Sequence, residues 1–176
     1  MTTPGWSVRR LPSLDDTHVQ ELVEVLIDCV EGGAAVGFMN PLTRERALAF
    51  WRRVADAVVA GNRVLLVAED DGGICGTVQL ILDVPENQPH RADLTKMLVH
   101  GRARRRGLAV ALMQAAEAAA LEYGRTLLVL DAVTGGVAAR LYERLGWLRV
   151  GDIPDYALMP DGGLGGTTYY YRQLGS

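Results

Sequence analysis

Arg102-Ala103-Arg104-Arg105-Arg106-Gly107-Leu108-Ala109 decides how this chain is read. The stretch stands between a strand pattern ending near Val99 and a helix pattern opening near Gly107. A helix N-terminus has unpaired main-chain N–H groups and a partial positive charge, which suits phosphate oxygens. Gly107 and the small Ala109 let a diphosphate approach the backbone, and neighbouring arginines can pair further phosphate oxygens. Taken alone, the run serves equally well as solvated surface. A dinucleotide site would need G-x-G-x-x-G and a triphosphate P-loop would need G-K-[ST]; neither occurs.

Working outward, Arg91 to Val99 reads as a strand and Gly107 to Tyr123 as a helix that buries Leu108, Ala111, Leu112, Ala115 and Ala119. Thr126 to Asp131 is a short, nearly all-apolar run, as expected of a strand covered on both faces. The unit from Arg91 to Asp131 should be a right-handed parallel crossover. Upstream lie a strand at Trp6 to Leu11 and a helix with Val19, Leu22, Val23, Leu26, Ile27 and Val30 on one face. A second helix opens at Pro41 and Thr43, and strands at Val64 to Ala68 and Ile74 to Leu82 flank the turn Asp70-Asp71-Gly72-Gly73. Downstream come a helix at Val137 to Leu145 and strands at Trp147 to Val150 and Thr167 to Arg172. The order predicts an α+β domain over residues 1–176, with a mixed, mostly antiparallel central sheet and helices on both faces.

At 176 residues the chain can bury a full core without disulfides or metals. Its net charge of −3 gives no overall basic field for nucleic acid, and no aromatic platform interleaves with the arginines. Cys29 and Cys75 stand far apart and read as core residues. His18, His90 and His100 have no ligand spacing, so no metal site is expected. Met1 to Leu11 has no leader-like apolar core and no apolar run approaches ~20 residues, so a cytoplasmic protein without a membrane span is expected. Lys96 is the only lysine, and the sequence offers no functional reading of it.

Two motifs carry a resemblance. Arg104-Arg105-Arg106-Gly107-Leu108-Ala109 matches the [QR]-x-x-G-x-[GA] pattern with which acetyltransferases of the GNAT superfamily hold the coenzyme A diphosphate. Ala138-Ala139-Arg140-Leu141-Tyr142-Glu143-Arg144-Leu145-Gly146-Trp147 is similar to that superfamily's A-x-x-L-Y-E-x-x-G-[FW] signature, in the same order and element types. Over nearly the whole chain the likeness runs towards the tabtoxin-resistance acetyltransferases, which act on a β-lactam amino-acid toxin. It includes Gly32 to Met39, Ala68 to Asp71, Arg91 to Val99 and Pro160-Asp161-Gly162.

The resemblance implies the GNAT, or acyl-CoA N-acyltransferase, fold and acetyl-CoA as co-substrate. It implies that main-chain groups of Met97, Leu98 and Val99 hold the pantetheine arm, with the Leu98 N–H or a neighbour as oxyanion donor. Arg104, Arg105, Arg106, Gly107, Leu108 and Ala109 would hold the diphosphate, with Thr134 and Ala138 also against the coenzyme. Many members have an asparagine seven residues before the motif tyrosine; here Gly135 stands there, and Thr134 or backbone must substitute. Tyr142 would protonate the leaving thiolate. Asp131 and Asp93 are the candidate bases, or would hold a substrate ammonium group. At strand rise Asp93 lies roughly 13 Å before Met97, so it would act through water. Alternation along the strand puts Asp93, Thr95 and Met97 on one face and Leu94, Lys96 and Leu98 on the other. The expected acceptor is an amine on a small molecule. Acetylation of a protein or peptide and a non-catalytic acetyl-CoA sensor stay open, as do monomer and homodimer. Asp155, Tyr156 and Gly162 to Gly166 would form a flap over the acceptor or an ordinary long loop.

Overall fold

The computed structural model describes residues 5–175; Met1 to Pro4, part of the segment read as carrying no leader, lie outside them. Strand β1 (Trp6–Leu11) leads into helix α1 (Asp16–Glu31). Asp15 caps α1 by accepting the His18 N–H at 2.8 Å, while His18 Nδ1 accepts the Asp15 N–H at 3.2 Å. Helix α2 (Arg44–Val59) is capped by Thr43. Strands β2 (Arg63–Asp70), β3 (Gly73–Ile81) and β4 (Arg91–Val99) follow, then helix α3 (Leu108–Glu122), β5 (Leu127–Val133), α4 (Val137–Arg144), β6 (Leu148–Leu158) and β7 (Leu164–Gln173). The predicted order of elements is the observed one.

They form one seven-stranded sheet in the order β1-β2-β3-β4-β5-β7-β6, in which only β4 and β5 run parallel. One apolar cluster joins Leu108, Leu112, Met113, Ala116 and Ala120 of α3 to the sheet and continues through Leu128 and Leu130 of β5 to Leu141 and Tyr142 of α4. The opposite cluster joins α1 and α2 to Leu11, Leu65, Val67, Ile74 and Leu98. It draws on β1 to β4 and stops there. Strand β5 is therefore covered on one face only: Leu128 and Leu130 are buried while Asp131 is exposed, contrary to the two-sided burial its apolar run suggests.

Two further readings are corrected. Strand β6 continues to Leu158, past Pro154 and Tyr156, so the segment read as a flap or an ordinary long loop is instead the end of a long β6–β7 hairpin. Its pairing breaks between Ile153 and Ala157, where Asp155 has a left-handed φ of 52°. The alternation along β4 also fails. Thr95 pairs with Gln79 and Leu98 with Thr77, so Lys96 and Met97 together oppose Val78, and Lys96 takes φ 53°. This bulge switches the faces. Leu94, Met97 and Val99 pack on the α3 side, whereas Leu98 is buried under α1 and α2 and Lys96 reaches the Phe50 ring of α2.

Candidate active site

The bulge has a consequence for the sheet. β4 and β5 pair over Arg91–Asp93 and Leu127–Val129 and then part, though both strands continue. Parallel neighbours that separate leave main-chain groups on their facing edges unpaired, a cost tolerated where a ligand or water meets them. Which groups of β4 face the gap follows from its pairing with β3. The His100 N–H reaches the Cys75 carbonyl at 2.9 Å, so by alternation the Leu98 N–H is also turned to β3. The N–H and carbonyl of Val99 point the other way. That carbonyl is met by Arg104 Nε at 3.3 Å and Cys29 Sγ at 3.5 Å rather than by the sheet.

On the α3 side of the gap stands the arginine turn. The first helical hydrogen bond of α3 runs from the Ala111 N–H to the Gly107 carbonyl at 3.2 Å, leaving the N–H groups of Leu108, Ala109 and Val110 without a helical acceptor. Gly107 has φ 83° and no capping side chain, and Arg105 has φ 62°. Left-handed residues in so short a turn gather N–H groups into a concavity for anions. A Cβ built at Gly107 would have Trp6 Cζ2, 4.0 Å away, as its nearest neighbour, so the space in front of the turn is open. The sequence-predicted diphosphate residues are thus brought together around a geometry that fits the group.

The arginines divide the work. Arg106 Nη1 donates to Asp70 Oδ2 at 2.8 Å and Arg102 Nη1 to Asp70 Oδ1 at 2.6 Å. The Asp70 side chain is only 9% exposed, and hydrogen bonds from Arg102 first and Arg106 next hold its carboxyl well below the usual carboxylate range. Asp70 reads from sequence as a hairpin turn residue. In the fold it anchors the phosphate turn to the β2–β3 hairpin, a pairing across thirty-two residues that no local pattern announces. Arg104 lies 3.9 Å from Asp28 through Nη2, and Arg105 makes no ion pair among the described residues.

Beyond β5, Tyr142 of α4 is buried against Trp147 and Tyr170, with ring centroids 6.0 and 6.2 Å away. Its hydroxyl makes no hydrogen bond among the described residues, and burial, with the negative charge of Asp131 second, pushes its pKa up to about 12. Asp131 lies on the opposite sheet face, which is solvent-accessible, and its Oδ2 accepts from the Thr167 hydroxyl at 2.8 Å. Asp93 shares that face through its pairing with Val129, and is held by Arg91. Tyr169, opposite Asp131 on β7, feels both carboxylates; its pKa is pushed up to about 12, first by the hydrogen bond with Tyr156 at 3.1 Å. Tyr142 and the two carboxylates thus lie on opposite faces of the sheet, and the charge of Asp131 is felt at the phenol.

The Gly135 departure also has a local reason. Gly135 has φ 71°, which favours glycine over asparagine, and the neighbouring Thr134 Oγ1 accepts from the Thr168 hydroxyl at 3.0 Å. Ala138 is half-buried on α4, packed against the α3-side cluster. Lys96 is the residue the sequence reading passed over. It sits within the bulge, its Nζ 5.7 Å from the Phe50 ring centre, and its electrostatic neighbours include Asp131. Only the bulge brings it there. The acceptor side is walled by the loop of residues 34–40, which is fastened to the β6–β7 turn: the Asn40 N–H donates to the Pro160 carbonyl and Asn40 Nδ2 to Asp161 Oδ1, both at 2.9 Å. No group of metal-ligating side chains is found among the described residues, and no helix is long and apolar enough to cross a membrane.

Known proteins are similar to this chain. An uncharacterized N-acetyltransferase in the hisH–hisA intergenic region of Azospirillum brasilense is 34% identical over 127 residues, 71% of this chain and 74% of the relative. A GCN5-related N-acetyltransferase from Kribbella flavida superposes with a TM-score of 0.77 at 25% identity, covering 97% of this chain and 98% of its own. The structure of yncA from Salmonella typhimurium with its cofactor acetyl-CoA superposes with a TM-score of 0.78 at 18% identity, over 98% of this chain and 95% of its own. Residues 61–148 match the acetyltransferase (GNAT) domain. Those residues run from just before β2 through the split strands, the arginine turn and Tyr142, and with the Azospirillum relative they show that the chain belongs to the GNAT family of acetyltransferases.

Proposed function

We propose that this acetyltransferase transfers the acetyl group of acetyl-CoA to a primary amine of a small molecule, amino-acid-like or β-lactam-like, in the cytoplasm. One observation carries the small-molecule reading. The loop of residues 34–40 is hydrogen-bonded to the β6–β7 turn, so the open face of β5 is bounded on the acceptor side rather than left as a peptide groove. The likeness to the tabtoxin-resistance enzymes supports the same class.

Acetyl-CoA supplies the activated thioester. The free N–H groups of Leu108, Ala109 and Val110, with Arg105, hold its diphosphate. Arg104 and Arg106 border that turn, and Arg106 keeps it in place through Asp70. Main-chain groups of Met97 and Val99 along the gap take the pantetheine arm, with Thr134 and Ala138 beyond. The Val99 N–H is the neighbour of Leu98 that is positioned to donate to the developing oxyanion. Asp131, with Asp93 behind it through water, takes the proton that the amine nitrogen releases as it bonds to the acetyl carbon. The carbon–sulfur bond then breaks, and the Tyr142 hydroxyl gives its proton to the departing thiolate. A phenol kept protonated by burial suits that step.

Acetyl-CoA-dependent thiol release against a panel of small amines, beside peptides with free N-termini or lysines, tests the reading. Turnover confined to small amines is expected. Turnover confined to peptides overturns the acceptor class, and no turnover with bound acetyl-CoA returns the protein to the sensor reading.

A further inference from the structure

The acceptor side of the split holds one charge that the mechanism above does not use. Lys96 is the chain's only lysine, and it stands in the left-handed region at φ 53°, a conformation strained for a residue other than glycine. Its ammonium makes no ion pair or hydrogen bond among the described residues. Its company is the Phe50 ring face at 5.7 Å and the bare Cα of Gly37, where a side chain would begin 3.9 Å from Nζ. Burial lowers its pKa, as does the charge of Arg63. A half-buried ammonium with no carboxylate in direct contact is costly, and a single cation–π contact offsets only part of that cost. The strain and the unpaired charge fall on the same residue, at the place where the two strands separate.

The charges around it on this sheet face are of both signs: Arg63, Arg91 paired with Asp93, and Asp131. Asp131 and Asp93 share it with Lys96, and Asp131 acts on the ammonium electrostatically. Phe38, edge-on to Phe50 with centroids 5.3 Å apart, supplies an apolar wall. A sheet face with an unpartnered ammonium on β4 and the Asp131 carboxylate on β5 matches a molecule with an anionic group near its amine.

We infer that Lys96 is the residue that reads the acceptor's carboxylate, and that the acceptor is therefore an α-amino acid or a close analogue. Its amine would lie towards Asp131 and its carboxylate against Lys96 and the Phe50 ring. This rests on the acetyltransferase reading above and narrows its acceptor.

The test pairs each of the twenty protein amino acids with its α-carboxamide, in which the negative charge is gone and the shape is kept. Thiol release by the wild-type protein should favour the acids that turn over by at least tenfold in kcat/KM over their amides. Lys96→Gln should raise KM for those acids about 10- to 100-fold, with little change in kcat and no change in KM for the amides. Equal use of acids and amides by the wild type, or an equal loss on both in the variant, overturns the inference while leaving the acetyltransferase reading intact. A second readout needs neither turnover nor a folded variant. Lysine labelled with ¹³C at the ε position gives one signal in this chain, and it should move on titration with the acids and stay still with the amides. A signal indifferent to the acids overturns the assignment even if no amine in the panel is acetylated.

Discussion

Tyr142 and Asp131 face the same gap from opposite sides of the sheet, and they live in different solvents. Tyr142 belongs to the cluster shared by α3, α4 and β5 and is 5% exposed. Asp131 lies where the helices α1 and α2 no longer cover the sheet, and water reaches it. Burial keeps the phenol protonated, which suits the general acid proposed for it, while the carboxylate proposed as base or ammonium partner is reached by water. The two proposed roles are separated by the thickness of one sheet. The cause is architectural: α3 and α4 roof one face as far as β5, and the α1–α2 layer ends at β4.

That contrast can be broken most directly at Tyr142. Tyr142→Phe keeps the ring that packs on Trp147 and Tyr170 and removes the acid, so kcat should fall about 10²- to 10⁴-fold with KM for acetyl-CoA nearly unchanged. The raised pKa adds an alkaline signature. With its folded value at about 12 against 10.0 for an ordinary tyrosine, the group contributes stability below pH 10 that is lost as the pH climbs from there towards 12. Thermal melts across that window should show a smaller loss for the phenylalanine variant.

On the solvated side, Asp131→Asn should lower kcat about 100-fold and remove the ascending low-pH limb of the kcat profile. Asp93→Asn, at a residue already paired with Arg91, should cost about tenfold. A raised KM for the amine with kcat intact would recast either carboxylate as an ammonium binder. Reversal of the order would move the base to Asp93.

The smallest effect belongs to the anchor of the phosphate turn. Asp70→Asn leaves Arg102 and Arg106 without their shared carboxylate, and should cost about 2 kcal/mol and about 5 °C in melting temperature, with a several-fold rise in KM for acetyl-CoA. Because the folded Asp70 carboxyl titrates below its unfolded value, its stabilising contribution is present above about pH 4 and is lost as the pH falls from there. Acid unfolding followed by circular dichroism should start at higher pH in the wild type than the global charge would suggest, and Asp70→Asn should flatten that slope.

Much of this was legible along the chain. Thr43 and the bounds Gly107 to Tyr123 and Val137 to Leu145 mark helix ends within a residue or two of the observed ones, because capping and helix termination are local chemistry. The phosphate turn was legible for the same reason: its N–H groups, its glycine and its arginines lie within eight consecutive residues. Tyr142 was readable from its motif. Asp70 was not, since its partners lie thirty-two and thirty-six residues away, on a turn it meets only through the sheet.

The sequence alone determined the order of the elements and the local form of the arginine turn, since each depends on contacts between near neighbours in the chain. Tertiary structure decided the rest. The strand-period rule puts Lys96 on the face of Leu94, and only the β3 register, with two residues set against Val78, turns it onto the acceptor side. An apolar pattern cannot say that β5 has a helix layer on one face alone, because coverage depends on where α1 and α2 stop. A residue's periodicity states which neighbours share its face; what that face looks at is settled by elements far away in sequence.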